Sequence, residues 1–138
     1  MDGGGGADIF VFAAGVTDTV ATSSSIAGVD HINNADLNAD TIDLTVVVAA
    51  VNTTVTGTLS EASFLADMQT LLNVGGAAGF NTAAAGDISA AIVTANAGDL
   101  SGRSFIAVDL DASDGFTLTD FVVEVTGFTN TLAAGDFV

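Results

Sequence analysis

Residues Arg103–Phe128 read RSFIAVDLDASDGFTLTDFVVEVTGF, two β-like runs around an acidic turn. Alternation at a two-residue period puts Phe105 and Ala107 on one face of the first run, with Ile106 and Val108 on the other. The second run sets Phe121, Val123 and Val125 against Val122 and Glu124. Between them, DASDGFT is rich in turn formers, and the three pieces together predict a β-hairpin. The expectation for the fold is therefore mainly β, a β-roll or β-sandwich-like module with one or two short helices.

Working back from the hairpin, the stretch Gly75–Ala97 is rich in small residues, and DISAAIVTANA within it reads equally as helix or strand. SEASFLADMQTLLN has another period: Leu65, Met68, Leu71 and Leu72 follow Phe64 on one helical face. Ser60 suits its N-cap, Glu61 its first turn and Gly75–Gly76 its end. Before it, LTVVVAAV (Leu44–Val51) predicts a β-branched strand over Thr45–Val51, preceded by acidic turns across Val29–Leu44. Asp8–Ala13 alternates too little for a half-exposed strand and reads as a short buried one.

The chain has 138 residues and is 49% apolar, enough for one domain that buries roughly 70% of its unfolded surface. Seventeen acids face a single cation, Arg103, for a net charge of -16. That balance excludes a nucleic-acid surface, which needs Lys and Arg to neutralise phosphate, and disfavours an anionic membrane. It attracts cations instead. Without cysteine there are no disulfides or thiolate metal sites. The longest apolar run is too short to span a bilayer, so no membrane insertion is expected. Catalysis finds little support: His31 is the only histidine, no G-x-S-x-G elbow is present, and Arg103 is expected to pair with a nearby acid. The reading is not that of an enzyme.

Two constellations fit calcium. Gly3-Gly4-Gly5-Gly6-Ala7-Asp8-Ile9-Phe10-Val11 satisfies the nonapeptide G-G-x-G-x-D-x-U-x at every specified position. Its glycines permit a tight turn in which backbone carbonyls can converge on a cation; Asp8 adds a hard oxygen, and Phe10 points inward. Such a unit needs neighbouring turns, so residues 1–15 read as the last turn of an array lying upstream. The second constellation is DLDASDGFTLTD, with Asp109, Asp111, Ser113, Asp114 and Asp120 at positions 1, 3, 5, 6 and 12. It has the length of an EF-hand loop, but Gly115 stands at position 7, the last acid is Asp, and no helices flank it. A calcium-stapled hairpin and an ordinary solvated turn both fit. Asp30, Asp36, Asp40 and Asp43 form a weaker third cluster.

Three stretches resemble one family. GGGGADIFVF is similar to a final nonapeptide and its strand. DHINNADLNADTIDL is similar to a D-x-I-x-x-F…D-x-I-D-L segment, with Ala35 or Leu37 where an aromatic often stands. SFIAVDLDASDGFTLTDFVVEVTGFTNTLAAGDFV is similar to a terminal hairpin, an L-T-G-like turn and an acid-plus-apolar ending. The chain thus resembles the C-terminal region of RTX (repeats-in-toxin) proteins exported by bacterial type I secretion.

The resemblance implies that residues 1–138 are one C-terminal module of a secreted or cell-surface protein. Calcium would fold it, with Asp8 and the Gly3, Gly5 and Gly6 backbone among its ligands, and residues 101–138 would hold the terminal hairpin and an uncleaved export signal ending in Asp136-Phe137-Val138. Its partners would be the secretion transporter and upstream repeats of the parent chain. The competing expectation is self-association, as the C-terminal part of a surface-layer protein or adhesin.

Overall fold

The structure, a computed structural model, describes residues 1–12, 26, 28–73, 79–80, 86–113 and 115–138. Seven strands and one α-helix organise them: β1 (Ile9–Val11), β2 (His31–Asn33), β3 (Thr41–Asp43), β4 (Ala50–Thr58), α1 (Phe64–Leu72), β5 (Ser89–Ala97), β6 (Ser104–Val108) and β7 (Phe121–Thr126). The fold is mainly β and sandwich-like. A five-stranded mixed sheet in the order β2-β7-β6-β5-β4 carries the small parallel pair β1-β3 on one face and α1 on the other.

The predicted hairpin is present. β6 and β7 run antiparallel, with Ile106 opposite Val123 and Ala107 opposite Val122. Every residue of β6 is buried because both faces of the sheet are covered. Ile106, Val108, Phe121, Val123 and Val125 pack towards β1 and β3, where Phe12 meets Phe121 edge-on at 4.7 Å between ring centroids. Phe105, Ala107 and Val122 pack towards the helix, where Phe64 lies 4.9 Å from Phe105. Burying a side chain like Phe64 contributes roughly 1.5–3 kcal/mol.

Sequence DISAAIVTANA resolves as strand. β5 pairs antiparallel with β6 and parallel with β4, and α1 lies in the connection between the two parallel strands. The helical period holds: Phe64, Met68 and Leu72 are buried, with Leu65 and Leu71 packed at the margin. The helix can approach β4 because Gly57 has no side chain; a Cβ there would stand 2.3 Å from Leu71 Cδ2. Its start differs from expectation. Glu61–Ser63 form a 3-10 turn, and the Ser60 side chain makes no capping bond. Asp67 caps instead, its Oδ2 accepting from Ser60 N at 2.9 Å and Ser63 Oγ at 2.8 Å. Asn73, in extended backbone, ends the helix, and Gly75 and Gly76 lie outside the described residues.

Two strand expectations are corrected. The strand expected at Thr45–Val51 starts only at Ala50 and runs to Thr58. Thr45 sits at φ +56°, its amide shared between Asp43 Oδ1 and the Val138 carbonyl, which also takes the Leu44 amide. These tertiary bonds override the β-branched run and leave Val47 85% exposed. The second correction is β1: only Phe10 is buried, while Ile9 and Val11 are 65% and 63% exposed. A single face of β1 meets the core, so the strand alternates after all.

β1 and β3 pair in register, Phe10 beside Ile42, and a further parallel bridge sets Phe137 beside Ile42. Three buried side chains from distant parts of the sequence therefore stand in one column. The one ion pair among the described residues is Arg103–Glu124, as the sequence anticipated. It is bidentate, with Arg103 Nε 2.7 Å from Glu124 Oε1 and Nη2 on Oε2. The bond to Glu124 is the main reason the guanidinium is held above its ordinary pKa.

Candidate metal centre

The register of β6 and β7 ends at Val108 opposite Phe121. The next residues on either side are Asp109 and Asp120, so two carboxylates flank the mouth of the hairpin. Asp109 N donates to Ser89 O at 2.9 Å, which carries the ladder one step further and helps to seal Asp109 completely. Asp120 is 1% exposed. Phe116, buried 6.4 Å from Phe80 on the helix side, anchors the intervening loop against the body. Ala112 takes a left-handed conformation at φ +54°, and Asp111 returns to the other two acids. Asp109, Asp111 and Asp120 each offer an oxygen within 4.8 Å of the others, and the cluster could hold a metal ion.

Neutral donors hold these carboxylates. Asp120 accepts from Leu110 N (2.8 Å) and Thr117 N (2.6 Å). Ser113 N reaches Asp109 Oδ1 at 3.1 Å and Asp111 Oδ1 at 3.0 Å. The hydroxyls of Thr117 and Thr119 donate to Asp111 Oδ2 at 3.1 and 2.8 Å. Burial pushes the Asp120 carboxyl up to about 6; its two backbone bonds oppose the rise, and the charges of Asp109 and Asp111 add to it. The more exposed Asp111 lies below its ordinary value, chiefly through its bond with Ser113.

Such a set suits a hard cation, because carboxylate oxygens and no nitrogen or sulfur converge. Three carboxylates supply part of the six to eight oxygens that calcium takes, and Asp111 opens the group to solvent. Of the five residues read from the loop, positions 1, 3 and 12 converge. Ser113 contributes its amide, while its hydroxyl donates to Gly115 O at 3.1 Å. Asp114 lies outside the described residues.

The glycine-rich stretch is built differently. Gly4 and Gly6 take positive φ, +65° and +122°, as a tight turn before β1 requires. Gly3 is buried with its amide on Asn33 O at 2.9 Å, whereas Gly5 and Gly6 are exposed. Asp8 N donates to Asp40 Oδ1 at 2.9 Å, and among the described residues Asp8 joins no cluster of three metal-ligating side chains. Nor do Asp30, Asp36, Asp40 and Asp43 gather into one group. Asp40 is buried and also accepts from Asp36 N; Asp36 accepts from Asn38 N, and Asp43 from Thr45 N. Three of the four thus cap turns.

Two features escaped the sequence reading. Thr117 and Thr119 brace Asp111, and T-L-T-D immediately before β7 was their signal. Ala7-Asp8-Ile9-Phe10 and Ala39-Asp40-Thr41-Ile42 share the pattern A-D-x-apolar and lie side by side in register. The Thr126 hydroxyl donates to Asn33 Oδ1 (2.7 Å), so His31 Nε2 donates to Thr126 Oγ1 (2.9 Å). No protein-family model, no curated protein and no solved structure matches the chain.

Proposed function

We propose that this chain is a calcium-binding module of a type I secreted, RTX-like protein, in which the cation completes the fold after export. The observation that carries the reading is the convergence of Asp109, Asp111 and Asp120 at the mouth of the central hairpin. Like charges opposite one another in an antiparallel pair repel, and a divalent ion bound between them relieves that repulsion. The net charge of -16 acts in the same direction, opposing compaction until cations are bound. Cytosolic calcium lies far below the ~10⁻⁴–10⁻³ M dissociation constants of extracellular modules, whereas extracellular calcium reaches that range. Resemblance of the ending Asp136-Phe137-Val138 to exported chains supports its role as part of the export signal, and the glycine turn before β1 supports packing against further repeats of the parent.

Calcium titration followed by far-UV circular dichroism and calorimetry tests this, with magnesium as control. A saturable heat and a gain of β structure between chelator and millimolar calcium are expected. A chain equally folded and equally stable in both conditions would overturn the reading.

A second reading, self-association within a surface layer or adhesin, is favoured by Ile9 and Val11, exposed on a strand whose other edge pairs with no described strand. Sedimentation during the same titration separates the two, since growth in mass with calcium favours assembly.

A further inference from the structure

A cleft of about 200 Å³ opens on the β1-β3 side of the large sheet, at the end of the hairpin away from the acids. Thr53 of β4, Thr94 of β5, Asn130 and Thr131 line it with Phe128, and buried Ile92 and Leu132 complete the lining. Thr94 pairs with Ser104, four residues along β5 from the Ala90–Val108 pair beside Asp109. At ~3.3 Å per residue this is about 13 Å, so the cleft and the acid cluster are separate.

The chain carries a net charge of -16, yet no residue lining the cleft is charged. Its polar groups are hydroxyls and an amide, which both donate and accept, above an apolar base with one aromatic ring. The walls are also held in place. Leu37 N donates to Thr129 O (3.1 Å), and Thr129 N donates to Ala35 O (2.9 Å). Asn130, left-handed at φ +67°, is tied through Nδ2 to Asp36 Oδ1 (2.6 Å), which leaves its carbonyl oxygen as an acceptor. The Thr94 and Ser104 hydroxyls bond at 3.0 Å. A pre-formed cleft with an apolar base and a few fixed polar groups has the anatomy of a small-ligand site.

We infer that this cleft binds one ring of a neutral saccharide. A pyranose has an apolar C–H face and a rim of hydroxyls, which matches the Phe128–Leu132 base and the Thr53, Thr94, Asn130 and Thr131 rim. A volume of about 200 Å³ has room for one such ring. An anionic ligand meets repulsion from the chain as a whole, and a cationic one is drawn to the acids instead.

The test is amide-shift NMR in millimolar calcium with methyl glucoside, methyl galactoside, methyl mannoside and N-acetylglucosamine, each titrated to about 50 mM, well into the range of a millimolar dissociation constant. At least one probe is expected to give saturable shifts confined to residues around Thr53, Thr94 and Phe128–Leu132. Thr53→Val and Thr131→Val should each weaken it about five-fold, the scale of one lost hydrogen bond, at unchanged melting temperature. Absence of shifts with all four probes, shifts centred on Asp109–Asp120, unaltered affinity in both variants, or tighter binding of N-acetylneuraminic acid would each overturn the assignment.

Discussion

Asp40 and Asp120 have nearly the same immediate surroundings. Both are almost sealed from water, at 4% and 1% exposure, and each carboxylate accepts two backbone amides. They differ in what stands beside them. Asp40 holds the A-D-x-apolar turns together from within, taking its amides from Asp8 and Asp36. Asp120 belongs to a group of three carboxylates, and the donors it takes are the neutral amides of Leu110 and Thr117. Backbone amides satisfy lone pairs in both places, but they do not relieve charge that has been concentrated. An acidic loop thus points to a cation where its carboxylates converge, and not merely where they are numerous.

The sharpest way to break this contrast is Asp40→Ala. It strands two backbone amides, and at roughly 1–3 kcal/mol for each buried unsatisfied group the loss should be about 4 kcal/mol. Urea denaturation should find the same loss in chelator and in calcium; a cation-dependent loss would place Asp40 with the metal ligands. Next in size is calcium itself. At a concentration 100-fold above the dissociation constant it should stabilise by ~2.7 kcal/mol, visible as a higher denaturation midpoint.

The pH dependence of the cation-free chain follows. Burial raises the folded Asp120 carboxyl from 3.8 to about 6. The folded state therefore holds this proton more tightly than the unfolded state does. Its stabilising contribution is complete below pH ~4 and is lost as pH rises through 6; a shift of this size is worth at most ~3 kcal/mol and, discounted for solvent screening, about 2 kcal/mol. Stability curves of the parent and Asp120→Asn in chelator should differ by this slope, and a parallel pair would remove the buried-charge argument. The smallest effect in chelator is expected of Asp111→Asn. The amide can still accept from Ser113, and the threonine hydroxyls can turn to accept from it, so stability should move by no more than ~0.5 kcal/mol. Calorimetry should nevertheless show calcium affinity falling at least ten-fold, the equivalent of ~1.4 kcal/mol.

The hairpin was legible because both of its strands alternate and the turn between them is dense in Asp, Ser and Gly; Asp109, Asp111 and Asp120 were found through loop spacing. The helix was legible from its period, although its cap was not: Ser60 has the right chemistry, but Asp67 reaches back to take the amide. Thr45–Val51 misled for a related reason. Local β preference favoured a strand there, while the Val138 carbonyl, far away in sequence, claimed the amides of Leu44 and Thr45. The burial of Asp40 could not be read from the sequence at all, because it depends on the parallel pairing of β1 with β3. Spacing along the chain records which acids share a loop, and pairing between strands decides which of them lose their water.

The column of Phe10, Ile42 and Phe137 has a consequence for the order of folding. Its members are brought together from positions 127 residues apart at the extremes (137 minus 10), and β2 joins the large sheet only by pairing with β7. The β1-β3 pair can form within the first third of the chain, but the column and the β2 edge of the large sheet both need C-terminal residues. A chain emerging from a ribosome or threading through a pore would have to release residue 137 before this column could close. Contacts of such long range make this closure slow.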